Sequence, residues 1–207
     1  KTTDFGKTWK RITKGIPPTS FTRCLRADPI MKGILYCGTE YGMFISYDDG
    51  ENWDAFQLNL PRVPITDLTI KNNDLIVATQ GRGFWVLDNL TLLHQLNDEI
   101  KTTKLHVFKP GISYRMRGYQ DKNPVNEGMN AIHGARIDYW VKNITDSSKV
   151  TISFYNQHDS LIRSYSNTST EKDEAFVVEK GMNSYTWNML VKGVDKIDDM
   201  ILWNGNV

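Results

Sequence analysis

Acidic residues recur in two short segments of the chain, with a spacing that could serve acid–base catalysis or calcium binding. Asp4 lies near the N-terminus, and Asp48, Asp49 and Glu51 cluster further along. Glycosidases use paired carboxylates, and Asp-x-Gly spacing also occurs in calcium loops. Turn formation explains the same spacing completely, because an Asp side chain accepts hydrogen bonds from nearby backbone N–H groups and Gly supplies a positive φ. We therefore expect these carboxylates to fix turns and assign them no catalytic role.

The histidines and glycines give no pattern typical of a metal or nucleotide site. His94, His106, His133 and His158 are scattered, and no two stand at the helical or short-loop spacing of metal ligands. The segment 81–83, Gly-Arg-Gly, is not followed by the helix that a phosphate-binding loop requires. We expect no metal and no cofactor.

Cys24 and Cys37 are the two cysteines of the chain. A hairpin turn over 28–32 would place them on adjacent antiparallel strands, where a disulfide is geometrically conceivable. Such a bridge would indicate an oxidising compartment. The alternative, which we favour, is that both thiols are small buried core residues.

Composition excludes several classes of protein. The 207 residues carry 25 Lys+Arg against 24 Asp+Glu, which argues against nucleic-acid binding through bulk charge. No apolar run approaches the roughly 20 residues of a membrane span. Apolar residues make up 40% of the chain and aromatic residues 11%, so we expect a folded protein. Because Lys1 opens the sequence without an initiator Met or a signal-peptide pattern, we expect a piece of a longer protein.

One octapeptide pattern occurs twice and organises the N-terminal half. TTDFGKTW at 2–9 and SYDDGENW at 46–53 share Ser/Thr-x-Asp-x-Gly-x-Thr/Asn-Trp with a period of 44 residues. The hydroxyl and carboxylate can bond local backbone groups, and Trp can cover the adjoining hairpin, so each copy predicts a turn between two strands. A third copy near 88–89 is degenerate. The turn-building residues are Thr2, Asp4, Gly6 and Trp9 in the first copy and Ser46, Asp48, Gly50 and Trp53 in the second.

Short segments rich in β-branched and aromatic residues flank the second octapeptide and predict strands. They cover 33–39, 43–46, 74–79 and 84–87. The two pairs of segments align with each other, with Leu35 matching Leu75, Thr39 matching Thr79 and, after one inserted residue, Gly42 matching Gly83.

The pattern changes beyond residue 88. Apolar residues at helical spacing predict one short helix over 91–100, and a stretch rich in Gly, Asn and other polar residues predicts a long loop over 115–134. Strand-like segments then return, and their spacing predicts a small antiparallel sandwich. The predicted strands are 105–108, 135–141, 149–155, 161–165, 175–178 and 184–189.

The two octapeptides are similar to the Asp-box, or BNR, repeats of β-propellers. Residues up to about 95 resemble the sortilin-type and BNR "glycosyl hydrolase-like" propellers, many of them from bacteria of the Bacteroidetes group. The patterns Gly-Ala-x-Ile-Asp-Tyr at 134–139 and Gly-x-Asn-x-x-x-Trp-Asn at 181–188 are similar to an Ig-like module, akin to a flagellar-hook-cap sandwich, that often follows such propellers. The resemblance implies an all-β fold: a partial Asp-box β-propeller of about two blades, a small antiparallel Ig-like β-sandwich and one short linking helix.

The implied domains are 1–88 for the C-terminal propeller blades, 89–130 for the helix and linker, and 131–207 for the sandwich. A propeller needs about four to eight blades of roughly 40–45 residues each. We therefore expect the remaining blades of the same protein upstream or on a companion fragment. The sandwich lacks the Pro-Gly-x-Tyr closing strand of its kind, so we expect it to be incomplete.

The resemblance also implies a ligand site on the face opposite the Asp boxes. Such sites are built by the loops that join second to third strands and by the loops between blades. Aromatic faces and guanidinium groups there suit sugar rings, peptide carbonyls and carboxylates. The alternative is that Arg82 forms an ion pair with a neighbouring blade and Tyr41 packs against the protein. The candidates on these loops are Glu40, Tyr41, Arg62, Gln80 and Arg82.

Three functions stay open. The first is a secreted or cell-surface binding protein, non-catalytic in this segment, with a protein, peptide or carbohydrate ligand; the absence of an assembled catalytic set favours it. The second is a glycoside hydrolase of the Asp-box type whose catalytic residues lie on missing blades, since only Glu40 and Arg82 here suit that chemistry. The third is a structural scaffold of a surface assembly.

Overall fold

β-Strands dominate the part of the chain that the computed structural model describes, which is residues 1–113, 133–145 and 147–191. These residues form antiparallel sheets and no helix longer than a single 3-10 turn, which confirms the all-β class. The expected loop over 115–134 falls largely outside the described residues, as does the end of the expected sandwich. The strands are β1 Thr22–Ala27, β2 Leu35–Thr39, β3 Gly42–Ser46, β4 Asp54–Ala55, β5 Ile65–Lys71, β6 Asp74–Thr79, β7 Phe84–Leu87, β8 Leu105–Val107, β9 Ala135–Val141, β10 Thr151–Tyr155, β11 Leu161–Ser166 and β12 Gly181–Trp187.

The chain divides into two compact units, Lys1–Leu96 and Asn97–Val207. Unit 1 holds sheet A, in the order β1-β2-β3-β4, and sheet B, in the order β5-β6-β7. Unit 2 holds sheet C, in the order β12-β9-β8, and sheet D, which is β10-β11.

Sheets A and B begin in the same way and pack against each other through their first strands. The pairing register shifts between Thr22 and Cys24 in β1 and between Ile65 and Asp67 in β5, so both strands carry a bulge near their start. The Cys24 Sγ lies 3.8 Å from the Ile65 carbonyl oxygen, and Arg26 Nη2 donates to Asp67 Oδ1 at 2.6 Å. These two contacts occur in the same order along both strands, so β1 and β5 run in the same direction.

The core of unit 1 lies between the two sheets. Successive side chains of a strand point to opposite faces, so alternate residues of β2 and β3 face sheet B. Tyr36 of β2 is fully buried, and Met43 and Ile45 of β3 are 3% and 2% exposed. Burying one such side chain contributes about 1.5–3 kcal/mol, which makes this layer the main hydrophobic contribution in the unit. The buried set is Ile34, Tyr36, Met43, Ile45, Ile65, Leu68, Leu75, Val77 and Leu90.

The second octapeptide forms the turn between β3 and β4. The Ser46 hydroxyl donates to Asp48 at 2.8 Å and accepts the Gly50 backbone N–H at 2.9 Å. Asp48 in turn accepts hydrogen bonds from the backbone N–H and the side-chain amide of the residue four positions later, at 2.8 and 2.6 Å. Trp53 is 5% exposed, and its indole donates to the Ile12 carbonyl at 2.8 Å. Each polar group of the motif therefore has a partner within the turn or beside it.

The first octapeptide makes the same turn. The Gly6 backbone N–H donates to Thr2 Oγ1 at 2.8 Å, and Thr8 donates both its backbone N–H and its hydroxyl to Asp4, at 2.9 and 2.7 Å. The hydroxyl hydrogen bond from Thr8, followed by the one from its backbone, lowers the pKa of Asp4 to about 2. The two copies differ at the tryptophan, because Trp9 is 74% exposed and its indole donates to the Gly6 carbonyl within the turn.

Cys24 and Cys37 are free thiols. The β1–β2 register pairs Cys24 with Gly38 and Cys37 with Leu25, so the two side chains point to opposite faces of sheet A. The Cys24 sulfur fills the space beside Gly38, where an added Cβ would come within 2.5 Å of it. Cys37 is 1% exposed, and burial raises its pKa to about 12. The conceivable disulfide is therefore not formed: Cys37 is a buried core residue, and Cys24 is partly buried against the core between the sheets.

Two predicted elements differ in the structure. In place of one helix over 91–100, the chain makes single 3-10 turns at Leu93–Gln95 and Ile100–Thr102. Leu96 between them is extended, and the Asn97 side chain accepts the Ile100 backbone N–H at 3.1 Å, which starts a new turn instead of continuing the first. The segment 175–178 forms no strand and contributes only a single bridge, from Ala175 to Ser166.

In unit 2, aromatic rings join sheet C to sheet D. Phe154 of β10 stacks on Trp187 of β12 with ring centroids 4.3 Å apart. Tyr165 of β11 meets Tyr185 of β12 at 4.9 Å. The two sheets thus pack through side chains from their facing surfaces, as in a small antiparallel sandwich. The Ig-like identity of this unit stays a prediction.

The different burial of the two octapeptide tryptophans predicts different effects of truncation. Trp53→Ala should lower the free energy of unfolding of unit 1 by about 3–5 kcal/mol, because it removes a buried ring and its hydrogen bond. Trp9→Ala is the matched control and should change it by less than about 1 kcal/mol. Urea unfolding followed by far-ultraviolet circular dichroism measures both values, and equal losses would contradict the structure.

Candidate functional site

The turns that carry the predicted ligand residues are built alike in the two sheets. Between β2 and β3, the Thr39 hydroxyl donates to the Gly42 carbonyl at 2.9 Å. Between β6 and β7, the Thr79 hydroxyl donates to the Gly83 carbonyl at 2.7 Å. The second turn holds one more residue than the first, which agrees with the alignment made from the sequence. Gly81 in this longer turn has φ +80°, and a Cβ added to it would meet no atom within 4 Å, so this side of the turn faces open space.

Both turns lie at the same end of unit 1. The Glu40 backbone N–H donates to the Phe21 carbonyl just before β1, and the Gln80 backbone N–H donates to the Pro64 carbonyl just before β5. Since β1 and β5 run in the same direction, the β2–β3 and β6–β7 turns share one end of the two sheets. Arg62 belongs to the same end, because it lies in the loop that enters β5. We call the turns at 40–41 and 80–82, together with the segments that enter β1 and β5, the turn end. The second octapeptide follows β3 and lies at the opposite end of sheet A.

Aromatic and charged side chains at the turn end have different surroundings. Tyr41 is 59% exposed, as is Phe21 at 60%. Glu40 forms an ion pair with Arg23 of β1, and the Glu40 side chain is 21% exposed. The carboxylate is therefore already neutralised, and the exposed rings beside it stay open to solvent.

The charges of the two other arginines of the turn end are not compensated by an acidic partner among the described residues. Arg62 and Arg82 are exposed, and neither side chain makes a hydrogen bond or an ion pair with any described residue. The backbone that bears Arg82 is held, because the Trp85 indole donates to the Arg82 carbonyl at 3.0 Å. The turn end thus presents two guanidinium groups without a partner among the described residues, one of them on an anchored turn, together with exposed rings and the exposed amide of Gln80.

The end of sheet A that carries the octapeptide has the opposite character. Asp48 has its acceptor capacity filled by local donors, first the side chain and backbone of Asn52 and then Ser46, and these hydrogen bonds lower its pKa. In the described ranges, no three His, Cys, Asp or Glu side chains are grouped so that they could hold a metal ion. None of the helical turns described is long and apolar enough to cross a membrane.

One buried polar cluster in unit 1 has no signal in the sequence motifs. The side chain of Asp28, which follows β1, is fully buried and accepts the Tyr36 hydroxyl at 2.9 Å. His94 Nε2, from the 3-10 turn that follows sheet B, lies 2.8 Å from the same carboxylate oxygen. The other oxygen accepts the backbone N–H groups of Ile30 and Met31, each at 2.8 Å. This carboxylate therefore joins the segment after sheet B to the β1–β2 hairpin.

The hydrogen bonds decide the charge state of the cluster. Burial raises the pKa of Asp28, but the donors around it, with the Met31 backbone and His94 foremost, outweigh burial and hold the pKa below its usual value. Because the ionised carboxylate can only accept, Nε2 of His94 carries the proton and donates. Burial, followed by the bond to Asp28, raises the pKa of Tyr36, so its hydroxyl stays protonated. With every partner inside the fold, the cluster is structural.

Comparisons of the chain with protein-family models, with curated proteins and with solved structures found no match.

The lowered pKa of Asp28 predicts a dependence of stability on pH. A carboxyl whose pKa is lower in the folded state stabilises the fold above its unfolded pKa of about 3.9, and this stabilisation is lost as the pH falls through the folded pKa. Asp28→Asn should lower the free energy of unfolding near neutral pH by roughly 2 kcal/mol, because the charged acceptor of a buried network is removed. The variant should also lose less stability than the parent between pH 5 and pH 2.

Urea titrations of both proteins across that pH range test this prediction. Asp4 and Asp48 also have lowered pKa values and are present in both proteins, so the variant keeps part of the acid dependence. Curves that stay parallel down to pH 2 would show that Asp28 does not hold its charge in the fold.

Proposed function

We propose that the chain is a segment of a secreted or cell-surface β-propeller binding protein and that its turn end contacts the ligand. Sheets A and B would be two blades, completed by further blades of the same protein, and unit 2 would be an Ig-like module beside them. The observation that carries the proposal is that the guanidinium groups of Arg62 and Arg82 are exposed and uncompensated at the same end of the two sheets as the exposed rings of Phe21 and Tyr41. Loops that a rigid scaffold positions carry a disproportionate share of binding residues, which supports a ligand contact at this end.

The chemistry of the turn end favours binding over catalysis. Hydrolysis of a glycosidic bond needs a carboxylic acid and a second carboxylate that face the same bond. Glu40 is the one carboxylate among the five predicted ligand residues, and its ion pair with Arg23 holds it as a structural partner. The described turn end therefore offers donors and stacking surfaces and no acid–base pair.

The same groups define the class of ligand. A forked guanidinium donates two parallel hydrogen bonds to a carboxylate, and an aromatic face packs on sugar rings or on peptide side chains. The ligand would be a peptide segment or a glycan that bears carboxylates or carbonyls. Nucleic acid is disfavoured, since the chain has a net charge of only +1.

The test is binding of a defined panel of acidic and neutral peptides and oligosaccharides, measured by isothermal titration calorimetry. Arg82→Ala and Tyr41→Ala should each weaken binding of an acidic ligand by about tenfold or more, because each removes a side chain that contacts the ligand in this proposal. Arg136→Ala is the matched control, since it removes an exposed arginine of unit 2, and it should leave the affinity unchanged. Binding that is insensitive to both turn-end variants would show that the ligand site lies elsewhere.

A further inference from the structure

Sheet D of unit 2 is bordered by the segment 174–180, which we call the edge segment. Its sequence, EAFVVEK, contains a run of strand-forming residues, but the run makes only one parallel bridge, from Ala175 to Ser166 of β11. Beside this bridge the Ser166 backbone N–H donates to the Glu174 carbonyl at 2.9 Å. The edge segment therefore lies along β11 as an irregular third strand of sheet D.

The side chains of the edge segment alternate as they do in a strand. The ring of Phe176 packs on that of Tyr185 in β12, with centroids 5.4 Å apart, and Val178 is half-buried. Val177 between them is 82% exposed. One side of the edge segment thus faces sheet C, and the other faces solvent.

The backbone groups of the edge segment point alternately toward β11 and away from it. Because the Glu174 carbonyl faces β11, the N–H and C=O groups of Ala175 and Val177 face the outer edge of the sheet. Further along this edge, the Asn183 side chain accepts the Glu179 backbone N–H and donates to the Glu179 carbonyl, both at 2.8 Å. The N–H and C=O of Val177 make no hydrogen bond with any described residue. The middle of the edge segment is therefore open to the addition of a strand.

We infer that the edge segment pairs with the edge segment of a second copy of this chain, antiparallel and about a two-fold axis at Val177. The N–H of Val177 donates to the carbonyl of the partner's Val177, and the reciprocal bond completes the pair. The same surface is used by both copies, so the contact closes as a dimer. The inference goes beyond the proposed function and does not rest on it, since it involves unit 2 and no residue of the turn end.

Charge along the edge segment favours this register. Antiparallel pairing centred on Val177 places Glu174 of each copy opposite Lys180 of the other, and opposite charges across two strands stabilise their pairing. Lys180 is exposed and has no ion-pair partner among the described residues. A register centred on Phe176 would instead place Lys172 opposite Lys180, and like charges in that position are destabilising.

The length of the edge segment sets the strength of the dimer. A segment this short buries less than the roughly 1,200–2,000 Å² of a stable protein–protein interface. The dimer is therefore weak and forms at high protein concentration.

Sedimentation velocity of the full chain, over a concentration series that reaches about 1 mM, tests the pairing. The mean mass of the parent chain should rise toward that of a dimer and no further. Val177→Pro should reduce association by about tenfold or more, because proline has no N–H for the central hydrogen bonds. Val177→Thr keeps the N–H and the branched shape, so it is the matched control and should associate like the parent.

Lys180→Glu tests the register independently of the backbone. It places two carboxylates opposite each other and should reduce association by about tenfold, whereas Lys180→Arg keeps the charge and should associate like the parent. The charge is changed at Lys180 because Glu174 lies 3.7 Å from Arg163 within its own chain. Lys180→Glu also decides the outcome if Val177→Pro fails to fold by circular dichroism.

Four outcomes would overturn the inference. They are a parent chain that is monomeric at every concentration, association that continues beyond a dimer, a folded Val177→Pro variant that associates like the parent, and association that Lys180→Glu leaves unchanged. Arg82→Ala should dimerise like the parent, so failure of this dimer and failure of ligand binding at the turn end are separate results.

Discussion

The burial of β2 on both of its faces is the constraint on which the rest of unit 1 depends. All five residues of this strand are buried, although sheet A has only four strands. One face is covered by sheet B, and the other by the segment before β1 together with Trp53. A strand held between two layers cannot slip by one residue without sending each side chain to the wrong layer. The register of β1 and β3 follows from it, and so does the position of the turn that begins at Thr39.

The two ends of the sheets then acquire opposite chemistry. At the octapeptide end, hydroxyl, carboxylate and backbone groups satisfy one another within a few residues, as Ser46 and Asp48 show. At the turn end, Thr39 and Thr79 close the turns with their own hydroxyls, so the exposed side chains of Tyr41 and Arg82 are not needed to close them. Side chains that make no structural contact can take part in binding, whereas the polar octapeptide residues cannot change without loss of the hydrogen bonds that form the turn.

Local patterns in the sequence were sufficient where one strand buries one face or where a turn is closed by its own side chains. The predicted segments 74–79 and 84–87 coincide with β6 and β7, and the second octapeptide forms the expected turn between two strands. The first octapeptide makes the same turn hydrogen bonds, but it precedes β1 with no strand on either side and leaves Trp9 exposed. β5 was missed because its bulge interrupts the alternation of buried and exposed residues. The single helix was predicted from apolar spacing, which carries no information about the separate turn that Asn97 starts.

Contacts between residues that are distant in sequence cannot be predicted from local patterns, and the Asp28–His94 pair, 66 residues apart, is the clearest case. The same limit applies to the turn end, where the sequence placed five candidates on loops but did not indicate that Glu40 would be neutralised by Arg23.

Sheets A and B have equivalent turns, and comparing them distinguishes the contacts that form within one sheet from those that form between the two sheets. Sheet A makes its own turn hydrogen bonds, but Met43 and Ile45 are buried only because sheet B lies against them. The alignment of Gly42 with Gly83 matches these residues to Phe84 and Val86 of sheet B, which are 79% and 53% exposed. The backbone pairing of the strands and the hydrogen bonds that close the turns are therefore local to each sheet, whereas hydrophobic burial is shared between sheets. In repeat proteins, such a division makes the stability of each unit depend on its interface with the neighbouring unit. The packing of β1 against β5 also holds the β2–β3 and β6–β7 turns at one end of the two sheets, so the contacts that bury the core also place these turns on the same side.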